Sequence, residues 1–285
     1  MEFISDLMEY TFLQRALFTS IIVGVISGVI GSFIILRGMA LMGDAISHAV
    51  LPGVAISFML NINFFYGAVF TGLLTALGIG YVNQNSRIKS DSSIGIVFTA
   101  AFALGVILIA KAQTAQDLTQ ILFGNVLAVT NADMYLTLSI GIIVLLIVFL
   151  FYKELLITSF DETMAKVYGL PTKFIYYVIM TLLTLVTVAS LKTVGVVLVV
   201  AMLITPAATA YLLTNRLSTM IGLAALFGAL SSIIGIYISF KYNLQTGPLI
   251  VLVATAFFAL AFYFSPNQGL LWRKLRKRGA KTNTL

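Results

Sequence analysis

Long apolar stretches separated by short polar interruptions run through most of this chain. A membrane-spanning helix needs about 20 mostly apolar residues. Stretches of this kind occur at 13–36, 45–61, 64–82, 93–110, 133–152, 173–191, 194–213, 218–240 and 248–265. Because several of them contain glycine or proline, one or two are predicted to be broken or re-entrant helices. The pattern predicts an all-α membrane protein, a polytopic bundle of 8–9 transmembrane helices.

The composition supports this interpretation and argues against a soluble fold. Of 285 residues, 60% are apolar and only 9% are charged, and the mean hydropathy is +1.06. A soluble domain usually carries about a quarter charged residues. So few charges cannot cover a water-facing surface, whereas apolar residues suit lipid. No separate soluble domain or long linker is indicated, so residues 1–285 are interpreted as a single transmembrane domain.

The two ends of the chain and its cysteine content narrow the picture further. The first ten residues, MEFISDLMEY, are acidic, whereas a secretory signal peptide begins with a basic region. The first helix is therefore expected to stay in the mature protein. The chain has no cysteine, which excludes disulfides and thiolate metal ligands.

The distribution of basic residues predicts the orientation, because cytoplasmic loops carry an excess of Lys and Arg. With the N-terminus outside and nine crossings, the basic residues of the loops at 37, 87–89, 153–173 and 216 and of the tail 268–285 face the cytoplasm. Only Arg15, Lys111, Lys192 and Lys241 then face outward. The C-terminal tail suits an anionic inner leaflet, and this interpretation is favoured over nucleic-acid binding.

Small residues recur every four positions on two predicted helices. Such spacing lets helix backbones approach closely in lipid. The first ladder is Ser20, Gly24 and Gly28, with Gly31 close behind, and the second is Gly72, Ala76 and Gly80. Packing within the chain is the favoured interpretation, and homodimerisation through one ladder is the alternative.

An ionisable residue within a membrane segment is a candidate functional residue because burying it in lipid is costly. The single histidine, His48, lies in GDAISHAVLPGVA, four residues after Asp44. Residues four apart share one helix face, so a carboxylate and an imidazole could point at the same spot. Together they suit a divalent transition metal. Two ligands are too few, so water, another helix or a second copy of the chain must supply the rest.

Other interpretations of these residues remain open at the level of sequence. Asp44 could cap a helix, His48 could be a core histidine or simply pair with Asp44, and Ser47 could bond a backbone carbonyl. Pro52 and Gly53 predict a broken helix of the kind that forms substrate sites in transporters. The apolar stretch places Asp44 near the cytoplasmic end, unless the helix begins earlier, within ILRGMALMG.

The longest polar interruption is ITSFDETMAKVYGLPTK, residues 157–173. Thr158 or Ser159 could cap a helix, acids at 161 and 162 would follow in its first turn, and Gly169 could end it. A cytoplasmic helix of about ten residues is therefore predicted at about 158–170. Its apolar residues could lie in a partner's groove, or the segment could be a plain surface helix. Segment 114–131 is amphipathic and is predicted to lie at the outer interface or to fold back.

Several catalytic signatures do not occur in the sequence. There is no Walker-type phosphate loop, no H-E-x-x-H and no G-x-S-x-G motif. The chain is therefore predicted not to be an enzyme, and its sparse polar residues suggest a conduit.

Four segments together resemble the permeases of manganese/zinc/iron ABC importers. Residues 31–55 are similar to the signature stretch of that family, 159–171 to its coupling helix, and 194–213 and 246–252 to its later blocks. The resemblance covers roughly 12–266 in the same order, and the manganese branch is the most similar. It implies a fold like that of the cobalamin and ferrichrome importers, in a multi-pass protein of the bacterial plasma membrane.

The resemblance also implies partners and site residues. A second copy of the permease, a cytoplasmic ABC ATPase dimer that binds ATP, and an extracellular metal-binding protein would complete the importer. Asp44 and His48 would line the metal path, with Mn²⁺ favoured and Zn²⁺ or Fe²⁺ open; no resident cofactor is implied. The expected ATPase-coupling residues are Phe160, Asp161, Glu162, Met164, Tyr168 and Gly169.

Two other classes of function stay open from the sequence. A secondary metal/proton transporter would use Asp44 and His48 as a proton relay and need no ATPase. A membrane enzyme would use them as an acid–base pair, but further polar residues for catalysis are not found at a similar depth.

Overall fold

A computed structural model describes residues 7, 9–112, 124, 126–265 and 269, apart from the side chains of 112, 192, 193 and 197. The helices are α1 Thr11–Leu36, α2 Leu41–Ala49, α3 Leu51–Met59, α4 Phe64–Asn85, α5 Ser90–Ala112, α6 Asn131–Leu150, α7 Tyr152–Phe160, α8 Glu162–Val167, α9 Thr172–Val194, α10 Val196–Leu213, α11 Leu217–Tyr242 and α12 Thr246–Phe264. A single 3₁₀ turn, Val126–Ala128, precedes α6. These ranges contain no β-strand.

Eight apolar helical segments in the described ranges are long enough to cross a membrane, judged by length and composition. One of these segments, Leu41–Met59, consists of α2 and α3 together. The ninth predicted stretch forms α10, which carries Pro206 inside the helix. The prediction of an all-α, multi-pass bundle with 8–9 transmembrane helices is confirmed.

The first small-residue ladder packs α1 against α11. A Cβ at Gly24 would collide with the backbone of Gly228, and one at Gly28 with the backbone of Ala224. At the same interface the Ser232 hydroxyl donates a hydrogen bond of 2.9 Å to the carbonyl of Ser20. Close backbone contact gives these helices the dispersion and hydrogen bonding that association in lipid depends on. This ladder therefore serves packing within the chain.

The second ladder packs α4 mainly against α9. A Cβ at Gly72 would meet the side chain of Thr184, and one at Gly80 would meet the rings of Tyr176 and Tyr177. Helix α9 also contacts α1, α2, α6 and α10, so it lies centrally in the bundle. The favoured interpretation, packing within the chain, is confirmed for both ladders.

The predicted broken helix is present between α2 and α3. Helix α2 ends at Ala49 and α3 begins at Leu51, with Pro52 in its first turn. Proline has no N–H to continue the helical ladder, which explains the interruption. The α3 half is held by a backbone contact between Gly53 and Gly67 of α4. A Cβ on either glycine would collide with the backbone of the other.

Two predicted segments lie mostly outside the described residues. Of segment 114–131, the structure describes Gly124 and residues from Val126 onward, so its proposed interfacial location stays a prediction. Of the basic tail 268–285, only Gly269 is described.

Candidate functional site

Helix α2 places Asp44 and His48 on one face, one helical turn apart. The helix begins at Leu41, within the segment ILRGMALMG, and is preceded by Ala40. Asp44 is thus the fourth residue of the helix, and the interpretation of Asp44 as the residue that caps it is wrong. The earlier start moves the pair away from the helix end. Because each helical residue rises about 1.5 Å, His48 lies about 10 Å along α2.

The carboxylate and the imidazole have the spacing of two ligands of one ion. Asp44 Oδ1 and His48 Nε2 are 3.6 Å apart. That distance is too long for a hydrogen bond but within the range of an ion pair, as the alternative of a simple Asp44–His48 pair expected. Two ligand atoms that are each about 2.1 Å from a metal in tetrahedral arrangement lie about 3.4 Å apart. The geometry is therefore suited to sharing a cation.

The rest of the imidazole is enclosed by aromatic rings from α5. The His48 ring lies 5.9 Å from the ring of Phe98 and 5.8 Å, edge-on, from that of Phe102. Its Nδ1 is buried and makes no hydrogen bond to a described residue. The alternative of a core histidine with satisfied hydrogen bonds is therefore not supported. The Ser47 hydroxyl donates a bond of 2.8 Å to the Asp44 carbonyl, as one alternative expected.

The pair opens onto the surface of the chain. The side chain of Asp44 is 48% exposed and that of His48 is 26% exposed. Within the described ranges, no group of three or more Asp, Glu, His or Cys side chains could hold a metal ion. Within these ranges the accessible face thus carries two candidate ligand side chains, Asp44 and His48.

The polar segment at 157–173 does not form one helix. It contains the end of α7 and the whole of α8. Helix α7 continues to Phe160, and α8 covers only the six residues from Glu162 to Val167. Asp161 caps α8, since its side chain accepts a hydrogen bond of 2.9 Å from the Met164 N–H. The prediction of a ten-residue helix at 158–170 capped by Thr158 or Ser159 is wrong in its length and its cap. A helix stop at Gly169 is confirmed, and this glycine has φ 77°.

The α8 segment presents apolar side chains to solvent. Phe160, Met164, Val167 and Tyr168 are all exposed, whereas Ala165 is buried. Lys166 and Glu162 form an ion pair of 2.8 Å on the same short helix. Exposed apolar residues on a charged surface helix are typical of a surface that contacts a partner.

Sequence reasoning did not assign a role to Arg37. The structure places this residue between the end of α1, just before α2, and the last turn of α7, just before α8. Its Nη2 donates to Thr158 Oγ1 at 2.6 Å and its Nε donates to Ser159 Oγ at 3.2 Å. These partners are more than 120 positions away in the chain. A basic residue inside the 31–55 stretch was the only sequence signal.

An all-helical, multi-pass protein with a half-exposed carboxylate–imidazole pair on a broken helix has the features of a membrane transport protein. The family described as "ABC 3 transport family" matches residues 9–265. The chain belongs to this family.

Named relatives extend over almost the whole chain. It is 64% identical over 277 residues to "Manganese transport system membrane protein MntC" of Listeria monocytogenes, covering 97% of this chain and 99% of that protein. A solved structure, "PsaBC from Streptococcus pneumoniae in complex with Fab", contains a chain with 53% identity and a TM-score of 0.86, covering 96% of this chain and 99% of that chain.

A more distant solved structure is similar in fold alone. It is "An inward-facing conformation of a putative metal-chelate type ABC transporter", with 15% identity and a TM-score of 0.67 over 88% of this chain and 85% of that chain. The resemblance to metal ABC importer permeases and the fold it implied are confirmed.

Proposed function

We propose that this chain is the permease subunit of an ATP-driven importer of a divalent transition metal, with Mn²⁺ as the favoured cargo. The observation that carries the proposal is the Asp44–His48 pair, 3.6 Å apart on a broken membrane helix. The 64% identity to a manganese transport membrane protein supports the choice of ion. Membership of an ABC transport family favours this mechanism over a secondary transporter with a proton relay.

The proposed path is completed by a second copy of the chain. The half-exposed Asp44 and the partly exposed His48 leave the pair accessible at the protomer surface. Two protomers that face each other there supply two carboxylates and two imidazoles, which together make a four-ligand site. Each carboxylate offsets the cost of holding a dication where lipid and protein lower the dielectric constant. The homodimer would bring these ligands to one ion.

Ligand chemistry alone does not select manganese. Oxygen ligands suit Mn²⁺, and imidazole also binds zinc, iron and copper. Intrinsic affinity at a mixed nitrogen and oxygen site follows an order that places zinc above manganese. Selectivity is therefore assigned to the geometry of the assembled path and to the extracellular metal-binding protein that delivers the ion.

The ATPase subunits dock on α8 from the cytoplasm in this proposal. The exposed Phe160, Met164 and Tyr168 supply an apolar surface, and Asp161 and Gly169 fix the ends of the helix. Glu162 is paired with Lys166 and lies on the same exposed segment. ATP binds to the partner subunit, and the N-terminus of the permease is outside with the basic tail in the cytoplasm of a bacterial plasma membrane.

The test is uptake of Mn²⁺, Zn²⁺ and Fe²⁺ by vesicles that carry the permease together with its ATPase. Asp44→Asn and His48→Gln each remove one ligand while keeping a polar side chain of similar size. Uptake of Mn²⁺ should fall by about 100-fold in each variant. Loss of a group that only orients a metal ligand already costs about 10- to 100-fold, and these variants remove the ligand itself. The matched control is Ser47→Ala, since Ser47 lies between the two residues and bonds only backbone.

Each outcome bears on a separate part of the proposal. ATP-dependent uptake that persists in both ligand variants would refute the site while leaving the importer intact. Uptake that continues without ATP would refute the ABC mechanism. Transport of Zn²⁺ or Fe²⁺ in preference to Mn²⁺ would correct the assigned cargo.

A further inference from the structure

The turn that leads into α2 has a fixed backbone. Arg37 ends α1, and Gly38 has φ 66°. The Gly38 N–H bonds the carbonyl of Ile35 at 3.1 Å, and the Met39 N–H bonds that of Ile34 at 3.0 Å. This pair of bonds is the Schellman arrangement, in which a glycine adopts the left-handed conformation just after a helix end. Only this hydrogen-bonded turn separates Arg37 from the start of α2 at Leu41, four residues later.

The guanidinium of Arg37 joins this turn to the last turn of α7. Its two donors bond the hydroxyls of Thr158 and Ser159. Those hydroxyls donate their own protons to the carbonyls of Glu154, at 2.7 Å, and Leu155, at 2.6 Å. Each hydroxyl oxygen thus accepts from arginine while its proton is bonded within α7. Asp161 and α8 follow immediately, so the Arg37 contact lies just before α8, the helix on which the ATPase is proposed to dock.

Arg37 differs from the other basic residues assigned to the same side of the bundle. Arg87, Lys89, Lys153, Lys166, Lys173 and Arg216 are all exposed, whereas Arg37 is partly buried. Burial lowers the pKa of Arg37 to about 10, and the nearby Glu162 carboxylate partly opposes this effect. Withdrawing a guanidinium from water is costly unless its donors are satisfied. The cost is compensated here by bonds that connect separate parts of the fold.

We propose that Arg37 is a positioning residue that transmits displacement of α7 and α8 to the α1–α2 turn, and so to Asp44 and His48. This inference rests on the proposed function, because it assumes that an ATPase moves α8. Coupling between sites requires a physical link whose two ends respond together. Helix α9 supplies a second connection, since it follows α8 in the chain and also packs against α2. Loss of Arg37 should therefore weaken the coupling and leave part of it.

The first measurement is the number of Mn²⁺ ions moved per ATP hydrolysed by the permease–ATPase complex in vesicles. Two variants remove the link from opposite sides. One is Arg37→Gln, and the other is the double variant Thr158→Val with Ser159→Ala. In each, the ratio should fall about tenfold, within the usual range of coupling between sites, while ATP hydrolysis continues. Arg37→Lys keeps a charge but not the fork of donors, so it should restore only part of the ratio. Arg216→Gln, at an exposed position, is the control.

The second measurement does not depend on the ion that is carried. Because the chain has no cysteine, single cysteines at Leu41 in α2 and at Thr163 in α8 can be labelled with a maleimide. Both positions are exposed. Labelling rates are compared in the nucleotide-free complex and in the complex trapped with ATP and vanadate. In the wild-type background both rates should change; with Arg37→Gln the change at Thr163 should persist and that at Leu41 should shrink about fivefold.

The two measurements separate this inference from the proposed function. If wild-type vesicles move no Mn²⁺ but Arg37→Gln selectively abolishes the Leu41 response, the assigned cargo fails and the role of Arg37 stands. An unchanged transport ratio together with a wild-type Leu41 response in Arg37→Gln would overturn the inference. It would also be overturned if the Leu41 label in the wild-type background did not respond to nucleotide.

Discussion

The contact between α1 and α11 and the contact between α2 and α5 differ in what they leave exposed. At the first, glycine, alanine and serine bring the backbones together, and Gly24, Gly28 and Ser20 are all buried. At the second, His48 packs on aromatic rings while Asp44 remains half exposed. The first contact is complete within one chain. The second has an accessible polar face, which suits binding to an ion and a second copy.

The α1–α11 contact and the proposed metal site at Asp44 and His48 therefore depend on different properties of the side chains. Substitutions in the α1–α11 contact should affect folding, because the backbones leave no space. Substitutions of Asp44 and His48 should affect transport and leave folding intact.

Gly28→Val should prevent accumulation of folded protein. Its Cβ would lie 2.6 Å from the backbone of Ala224, and neither helix can yield without losing other contacts. Overpacking of this kind should cost at least about 3 kcal/mol. The measurement is the yield and melting temperature of purified permease. Gly222→Val is the control, because a Cβ at Gly222 in α11 meets nothing within 4 Å. Equal yields of the two variants would refute the distinction.

His48→Phe should separate packing from transport. Phenylalanine can fill the space against Phe98 and Phe102, and it removes the Nδ1 atom that lacks a hydrogen bond to a described residue. The melting temperature should therefore stay the same or rise. Uptake of Mn²⁺ should nevertheless fall about 100-fold, because the ligand is gone. A variant that unfolds, or one that transports normally, would show that the α2–α5 contact has been misinterpreted.

Tyr168→Ser should weaken binding of the ATPase without changing the fold of the permease. Its exposed ring follows α8, where it makes an apolar contact surface with Met164 and Val167. Loss of an exposed aromatic anchor should lower the affinity about tenfold, as measured by titration of the purified subunits. Lys173→Ser, at an exposed position outside this surface, should leave the affinity within about twofold. Equal losses in both variants would argue against docking on α8.

Asp161→Ala should have the smallest effect of the four. It removes the acceptor for the Met164 N–H and should destabilise α8 by about 1 kcal/mol. Faster hydrogen exchange at residues 162–167 is the expected signature, with little change in α1 or α11. Thr163→Ser, at an exposed position of the same helix, keeps both the cap and the Glu162–Lys166 ion pair and serves as the control. Exchange that stays unchanged in Asp161→Ala would mean that tertiary contacts, and not the cap, hold this helix.

Sequence reasoning was most successful where one physical property dominates. Apolar length identified the membrane helices, and the proline at position 52 identified the break between α2 and α3. The pairing of Asp44 with His48 followed from helical spacing, because residues four apart lie on one face. The start of α2 was less certain, because the segment ILRGMALMG is apolar on both sides of the turn at Gly38.

The features that were missed depend on contacts distant in the sequence. Thr158 and Ser159 have the residue types of helix caps, but they lie in the last turn of α7, where they bond its carbonyls and Arg37. No local pattern indicates that an arginine 121 positions earlier satisfies them. The length of α8 was overestimated for a local reason, since Asp161 has an extended backbone and caps α8, which interrupts an otherwise continuous helical pattern.

The backbone contact between Gly53 and Gly67 has a mechanical consequence for the broken helix. It fixes the second half, α3, against α4, whereas the first half, α2, is held at His48 by side chains. The interruption at Val50 and Pro52 lies between these halves, at the position of a hinge. A displacement at the Leu41 end of α2 would then tilt the short segment that carries Asp44 and His48 about this break, while α3 keeps its position.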